Sequence, residues 1–433
     1  MTSKHHLFIR TASATAVAAA LLGLSLPANA VDSFDAGSKL LSLDAVLLSG
    51  ATYRQVTATI NAYTLLGVDN GTPGADAFDP VTSLLTLGAV TFQGITYNNV
   101  RVRVTSYTLL SVGGTIVNPP VPTSGVVYAN MAGADLGAGA NLRGAVPFPA
   151  NNAWNTDVSG AAVDPNSDAL IASIGLTRGL HPDFGAGLYE GAPIGIPYVM
   201  VSSAQAKVPV TFTDYGDESD PGPYPIPANA PIEGQQANGS AFDGDRHVLV
   251  IDRDANRLYE TGNSFPQTNG SWKASGGAVF SLNSNTVRPG GQPGWTSADA
   301  AGLPIFPGLA RYDEASTGVI RHALRFTVST SRRAYVPPAT HWASSNTSSN
   351  VPPMGMRVRL KASYVIPASF STESKALLQS MKTYGMFVAD NGSNWYVSGA
   401  PDDRWNNDKL VSELGSVKGS NFEVVRMDGI VTP

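Results

Sequence analysis

The chain has 433 residues, no cysteine and only 14% charged residues, with 28 Lys and Arg against 33 Asp and Glu. The lack of cysteine excludes disulfides, thiolate metal sites, iron–sulfur clusters and a cysteine nucleophile. A net charge of −5 without any basic run argues against a nucleic-acid partner.

In chain order, the first thirty residues read as a processing segment. Lys4 and Arg10 form a positive n-region, Ala16 to Leu26 is largely apolar, and Ala28-Asn29-Ala30 has the small-x-small pattern of a cleavage site. The apolar run is shorter than the ~20 residues of a membrane span, and no later window approaches one. The expectation is a secreted bacterial protein, periplasmic or extracellular, starting at Val31. Removal of Lys4 and Arg10 would leave 26 basic against 33 acidic residues, a charge of −7.

Residues 31–112 contain a duplication. Phe34–Val68 aligns without a gap on Phe78–Val112, and each copy begins Phe-Asp, continues through Leu-Leu-x-Leu and turns at Gly50 or Gly94. Val100, Val102 and Val104 then alternate with Arg101, Arg103 and Thr105, the period of a half-buried strand. Two strands around a glycine turn make a hairpin, and one hairpin alone is marginal in water. The two copies are therefore expected to pack as one small β module. Residues 113–146, rich in Gly, Pro and Ala, read as a linker with too few apolar residues to fold alone.

A β-rich catalytic domain is expected over 147–433. Helix signals occur at Leu170, Ile171 and Ile174 before Gly175, from Ser371 to Gly385, and from about Asn406 to Gly415. Strand patterns cover 196–212, 246–251, 257–260, 278–282, 319–328, 334–336, 356–363 and 395–398. Many short strands with few helices predict a mainly β fold, a β-sandwich or jelly roll with helical decoration.

Charge concentrates between Thr213 and Ile251. There Asp214, Asp217, Glu218, Asp220, Glu233, Asp243 and Asp245 sit in a loop stiffened by prolines at 221, 223, 225 and 227. Seven acids with only Arg246 beside them need compensation from water, a structural Ca2+ ion, or arginines elsewhere, such as Arg325, Arg357 and Arg359. Asp252, Asp254 and Asn256 imitate a calcium loop, but Arg257 and Asn263 stand where such a loop needs Gly and Glu. That segment reads as a hairpin turn, and no cofactor is required by any motif.

No Gly-x-Ser-x-Gly, phosphate-loop or His-Glu-x-x-His motif occurs. Glycosidic cleavage instead needs one carboxyl kept protonated and another kept ionised. Asp220 or Glu233 and the strand residue Glu260 are the expected pair. His247 and His322 lie in apparent strands and read either as core histidines or as proton shuttles, whereas His341 lies with Trp342 in a turn-rich strand exit. Tyr224, Trp342, Trp395, Arg325 and Arg404 offer aromatic and planar groups suited to a sugar surface. The alternative is a polyuronate lyase using His, Tyr and Arg, with Arg357, Arg359 and Lys361 as a cationic floor. A third reading is a carbohydrate-binding or adhesion protein without catalysis. The partner in each case is a polysaccharide or oligosaccharide.

Two resemblances accompany these readings. The duplicated segment resembles short β repeats at the N-termini of exported bacterial proteins, which implies an accessory role. DESDPGPYPIP (217–227), GWTSADAAGLPIFPGL (294–309), PPMGMRVRLKAS (352–363) and ADNGSNWYVSGAPDDRW (389–405) resemble an uncharacterised family of secreted bacterial β-rich proteins. That resemblance implies one domain over most of 146–426 and no activity. The strand His247–Ile251 with Leu258-Tyr-Glu also resembles peptidoglycan cross-linking enzymes, whose cysteine nucleophile is missing here.

Overall fold

A computed structural model describes residues 32–48, 51–74, 76–79, 83–92, 94–112, 126–236, 244–287 and 295–433. The expected signal peptide, the first part of the expected linker (113–125) and Asp243 lie outside the described residues. The chain divides into two units, 1–123 and 124–433.

In the first unit the repeat becomes strands β1 (Ser33–Asp35), β2 (Leu40–Leu48), β3 (Ala51–Val68), β4 (Ala77–Asp79), β5 (Leu84–Phe92) and β6 (Ile95–Val112). Strands β2–β3 and β5–β6 are hairpins in equivalent register, Leu41 opposite Ala58 and Leu85 opposite Val102. Gly94, at φ +78°, supplies the left-handed residue that the second turn requires. The two long strands β3 and β6 pair antiparallel. Strand β1 bonds both β2 and β5, and β4 bonds both β5 and β2, so the sheet closes on itself. Closure removes the edges that leave a lone hairpin marginal. The alternating valines point inward, where Val100, Val102 and Val104 meet Leu41, Leu85 and Leu87.

The second unit is mainly β, as the composition led one to expect, with four α-helices among the described residues. One sheet runs Gly276–Ser281, Arg257–Gly262, Val248–Asp252, Tyr198–Val201, Gly137–Ala138. The other runs His181–Asp183, Tyr396–Ser398, Leu324–Val328, Met386–Asn391, Arg357–Leu360, Phe422–Val424. Both contribute to a single core, with Leu249, Ile251 and Leu258 from the first and Phe326, Val388 and Val397 from the second.

The first sheet is covered on both faces, which explains why all five residues of Val248–Asp252 are buried. Its second face carries Val199, Val248, Val250 and Tyr259 beneath Tyr224, Ile226, Ala230 and Ile232 of the proline-rich loop. The described part of that loop is thus a lid of the core. Two helices begin where their caps were expected. Ser371 accepts from Ser374 N ahead of Thr372–Thr383, and Asn406 accepts from Lys409 N ahead of Asn407–Ser416.

One boundary differs from expectation. Residues 126–146, read as linker, belong to the second unit, and Met131, Ala134 and Leu142 are buried in its core. Small Ala and Gly side chains there allow close packing, which composition alone cannot distinguish from a spacer.

Candidate functional site

The outer face of the six-stranded sheet forms one wall of an open cleft of about 740 Å³. Leu324, Phe326 and Val328 point into the core, so Arg325 and Thr327 point the other way and line the cleft. Strand His181–Asp183 runs parallel to Tyr396–Ser398, pairing His181 with Tyr396 and Asp183 with Ser398. The His181 and Tyr396 rings lie 4.1 Å apart between centroids, forming an aromatic ledge on the cleft. Asp390, from the end of Met386–Asn391, lies beside them.

The opposite wall comes from the acidic loop and the start of strand Val248–Asp252. Glu233 N donates to His247 O at 3.0 Å, and Glu233 Oε2 lies 2.5 Å from His247 Nδ1. His247 Nε2 faces the Ala298 carbonyl at 2.8 Å. Both ring nitrogens therefore face acceptors, an arrangement satisfied only by the doubly protonated ring. Burial alone would lower its pKa, but the Glu233 charge and hydrogen bond prevail and raise it to about 9. His247 is a fixed cation and not the expected proton shuttle. Burial works to raise Glu233, and the His247 charge more than offsets it, so Glu233 is held below its ordinary range. Its side chain stays 22% exposed, within reach of a ligand.

Asp183 and Asp390 are shifted the other way. Asp183 is exposed to the cleft, but the surrounding walls thin its hydration and this desolvation raises its carboxyl, opposed by His181 and assisted by the negative charge of Glu233. Burial likewise raises Asp390, opposed by Arg325. Arg325 itself is buried, donating to Ser398 Oγ and to Asp299 Oδ1, both at 2.9 Å. It thus engages Asp299, and the acids lining the cleft are Asp183, Glu233, Asp245 and Asp390.

Of the expected site residues, Glu233, His247 and Arg325 meet in this cleft. Glu260 is fully buried behind it and accepts from Ile305 N and Phe306 N at 3.0 and 2.9 Å. Burial raises it to about 7 although those amides pull it down, but it has no surface for substrate. Asp220 accepts from Val279 N at 2.7 Å and borders a different depression. Its loop neighbour Glu218 accepts from Thr296 N at 2.9 Å, so both acids are met by backbone donors.

His322 is sealed in the core, bonded to Glu314 Oε1 at 2.9 Å and to Ala323 O at 2.8 Å. His341 bonds Ala300 O and stacks on Trp342, which stacks on Tyr335; neither His341 nor Trp342 lines the cleft. Trp395 is fully buried between Phe326 and Phe422, and Tyr224 is buried against Phe212 and Tyr259. Neither has a face left for a sugar. Arg404 is bidentate to Asp402 and borders a separate small pocket. Arg357 and Arg359 are tied to Tyr384 O and Glu423 Oε1 and do not line the cleft, so the expected cationic floor is a structural part of the sheet.

His181, Asp183 and Asp390 were missed as reacting groups. Their signal is slight: a His-Pro-Asp triplet in a short strand, and an Asp-Asn-Gly turn that reads first as a sugar-binding loop. Among the described residues no group of three or more His, Asp or Glu is arranged to hold a metal ion, and no helix is long and apolar enough to cross a membrane. No family model, curated protein or solved structure matches the chain.

Proposed function

We propose that this is an exported glycoside hydrolase acting on a polysaccharide or oligosaccharide through a carboxylate pair, with Asp183 as the acid and Glu233 as the ionised partner. The observation that carries the reading is one open cleft lined by two carboxyls whose surroundings push their protonation in opposite directions. Asp183 gives its proton to the glycosidic oxygen as the bond to the anomeric carbon breaks. Glu233, kept ionised by His247, stabilises the developing positive charge and acts on that carbon directly or through a water. The ledge of Tyr396 and His181 supplies the flat apolar surface that the face of a sugar ring needs. The volume lies within the range of small-ligand sites.

The charge of the cleft favours this reading over polyuronate elimination. A lyase must neutralise a uronate carboxylate with a cation in the cleft, and here Arg325 is engaged by Asp299 and His247 by Glu233. The test is reducing-end release from a panel of neutral, amino-sugar and uronate glycans by the wild type, Asp183→Asn and Glu233→Gln. Release by the wild type from a neutral or amino-sugar glycan, lost in both variants, upholds the assignment. Retarded migration on a glycan gel without release would make the protein a binder. An unsaturated product absorbing in the ultraviolet would make it a lyase.

A further inference from the structure

The closed sheet of the first unit holds a cavity of about 310 Å³, roughly twice the ~150 Å³ apolar cavity that accommodates benzene in a protein core. Among the described residues the lining is fourteen aliphatic or aromatic side chains, whose only polar atoms are the hydroxyls of Tyr63 and Tyr97. Such a lining leaves the hydroxyls of a sugar unpaired and penalises their burial, so this is not a second glycan site. Val100, Val102 and Val104 follow one another along β6 on the cavity wall, a run of about 13 Å at the strand rise. The hollow is therefore long as well as apolar, a shape that suits a chain better than a compact ring. It is not sealed: Tyr63, Leu65 and Val68 line it while remaining 37%, 56% and 40% exposed. These are large apolar side chains held at the surface where the cavity meets water, and an apolar rim of this kind marks an entrance for an apolar ligand.

We propose that the duplicated N-terminal unit is a binding module for a single medium-length hydrocarbon chain, taken end-on past Tyr63, Leu65 and Val68 into the interior beside Val102. The chain enters without covalent chemistry, and its polar head stays at the rim.

The test is a titration of the full chain, methyl-labelled at Ile, Leu and Val, with 1-decanol. The expected result is a saturable shift of the Ile60, Leu87 and Val102 methyls with one site per chain, while methyls of the second unit stay still. Val102→Phe, which fills the interior, should weaken binding at least tenfold. Leu65→Glu, an exposed position that tolerates charge without unfolding the unit, should weaken it by a similar factor and keeps the test decisive if Val102→Phe fails to fold. Flotation with phosphatidylcholine vesicles separates two sources of the chain: co-flotation assigns it to a membrane lipid, and its absence beside saturable decanol binding assigns it to a free ligand. Shifts that never saturate, or that survive both substitutions, would overturn the proposal. So would sedimentation showing that Tyr63, Leu65 and Val68 are covered by a second copy of the chain.

Discussion

The second unit contains two histidine–carboxylate pairs that begin from nearly the same local sequence, Arg246-His247-Val-Leu and Arg321-His322-Ala-Leu. In each, one ring nitrogen meets a glutamate and the other a backbone carbonyl. They differ in what surrounds the glutamate. Glu233 has one cationic partner and lines an open cleft. Glu314 also holds Arg311 at 2.8 Å, Arg311 in turn lies 3.4 Å from Asp313, and the three side chains are only 13%, 2% and 7% exposed. The first pair leaves a carboxylate ionised and accessible, which is a chemical resource. The second is a closed charge network that contributes to the fold. The same residue types thus serve chemistry or architecture according to solvent access, a property of the tertiary packing.

The largest effect expected from breaking this comparison is on turnover. Glu233→Gln should lower kcat on the responding glycan by about 10²–10⁴-fold, since acid–base groups contribute that much, and should also lower the melting temperature, because it removes the charge partner of buried His247. The mirror experiment is Glu314→Ala, which strands Arg311 and His322 in the core. Unfolding by denaturant should register a loss of about 3–5 kcal/mol, with the folded fraction keeping its kcat. Smaller is Glu260→Gln, which weakens the acceptor for Ile305 N and Phe306 N; a loss of about 1–3 kcal/mol with normal turnover is expected, and a collapse of kcat would return Glu260 to the reacting groups.

The pH dependence of stability sharpens the contrast further. His247 has its folded pKa raised to about 9 from 6.5, so its contribution is complete below about 6.5 and is lost as pH rises through about 9. Denaturant midpoints measured between those values should fall in the wild type and lose that component of the slope in His247→Gln. The smallest effect belongs to Arg404→Ala: the Arg404–Asp402 pair is at the surface, and its removal should change stability by no more than about 1 kcal/mol.

These residues also show how far the sequence could be read. The hairpin strands, the capped helices and the mainly β class followed from local patterns: alternating valines at 100, 102 and 104, serine at 371 and asparagine at 406. Local patterns end there. Asp220 and Glu233 look alike in one acidic loop, yet one is satisfied by Val279 N and the other by His247, and only the folded path of the loop separates them. Trp395 sits in a Gly- and Asn-rich turn that suggests a sugar platform, but its ring is turned inward onto Phe326 and Phe422. Asp183 and Asp390 were hidden because their raised carboxyls depend on the surroundings that residues distant in the chain build around them.

The central claim, that one cleft pushes the protonation of two carboxyls in opposite directions, is tested most directly by carbon-13 carboxyl titration of the wild type, with Asp183→Asn and Glu233→Gln to assign the two resonances. The account predicts that Asp183 titrates above the ordinary aspartate range and Glu233 below the ordinary glutamate range. Two carboxyls that both titrate at ordinary values would contradict it.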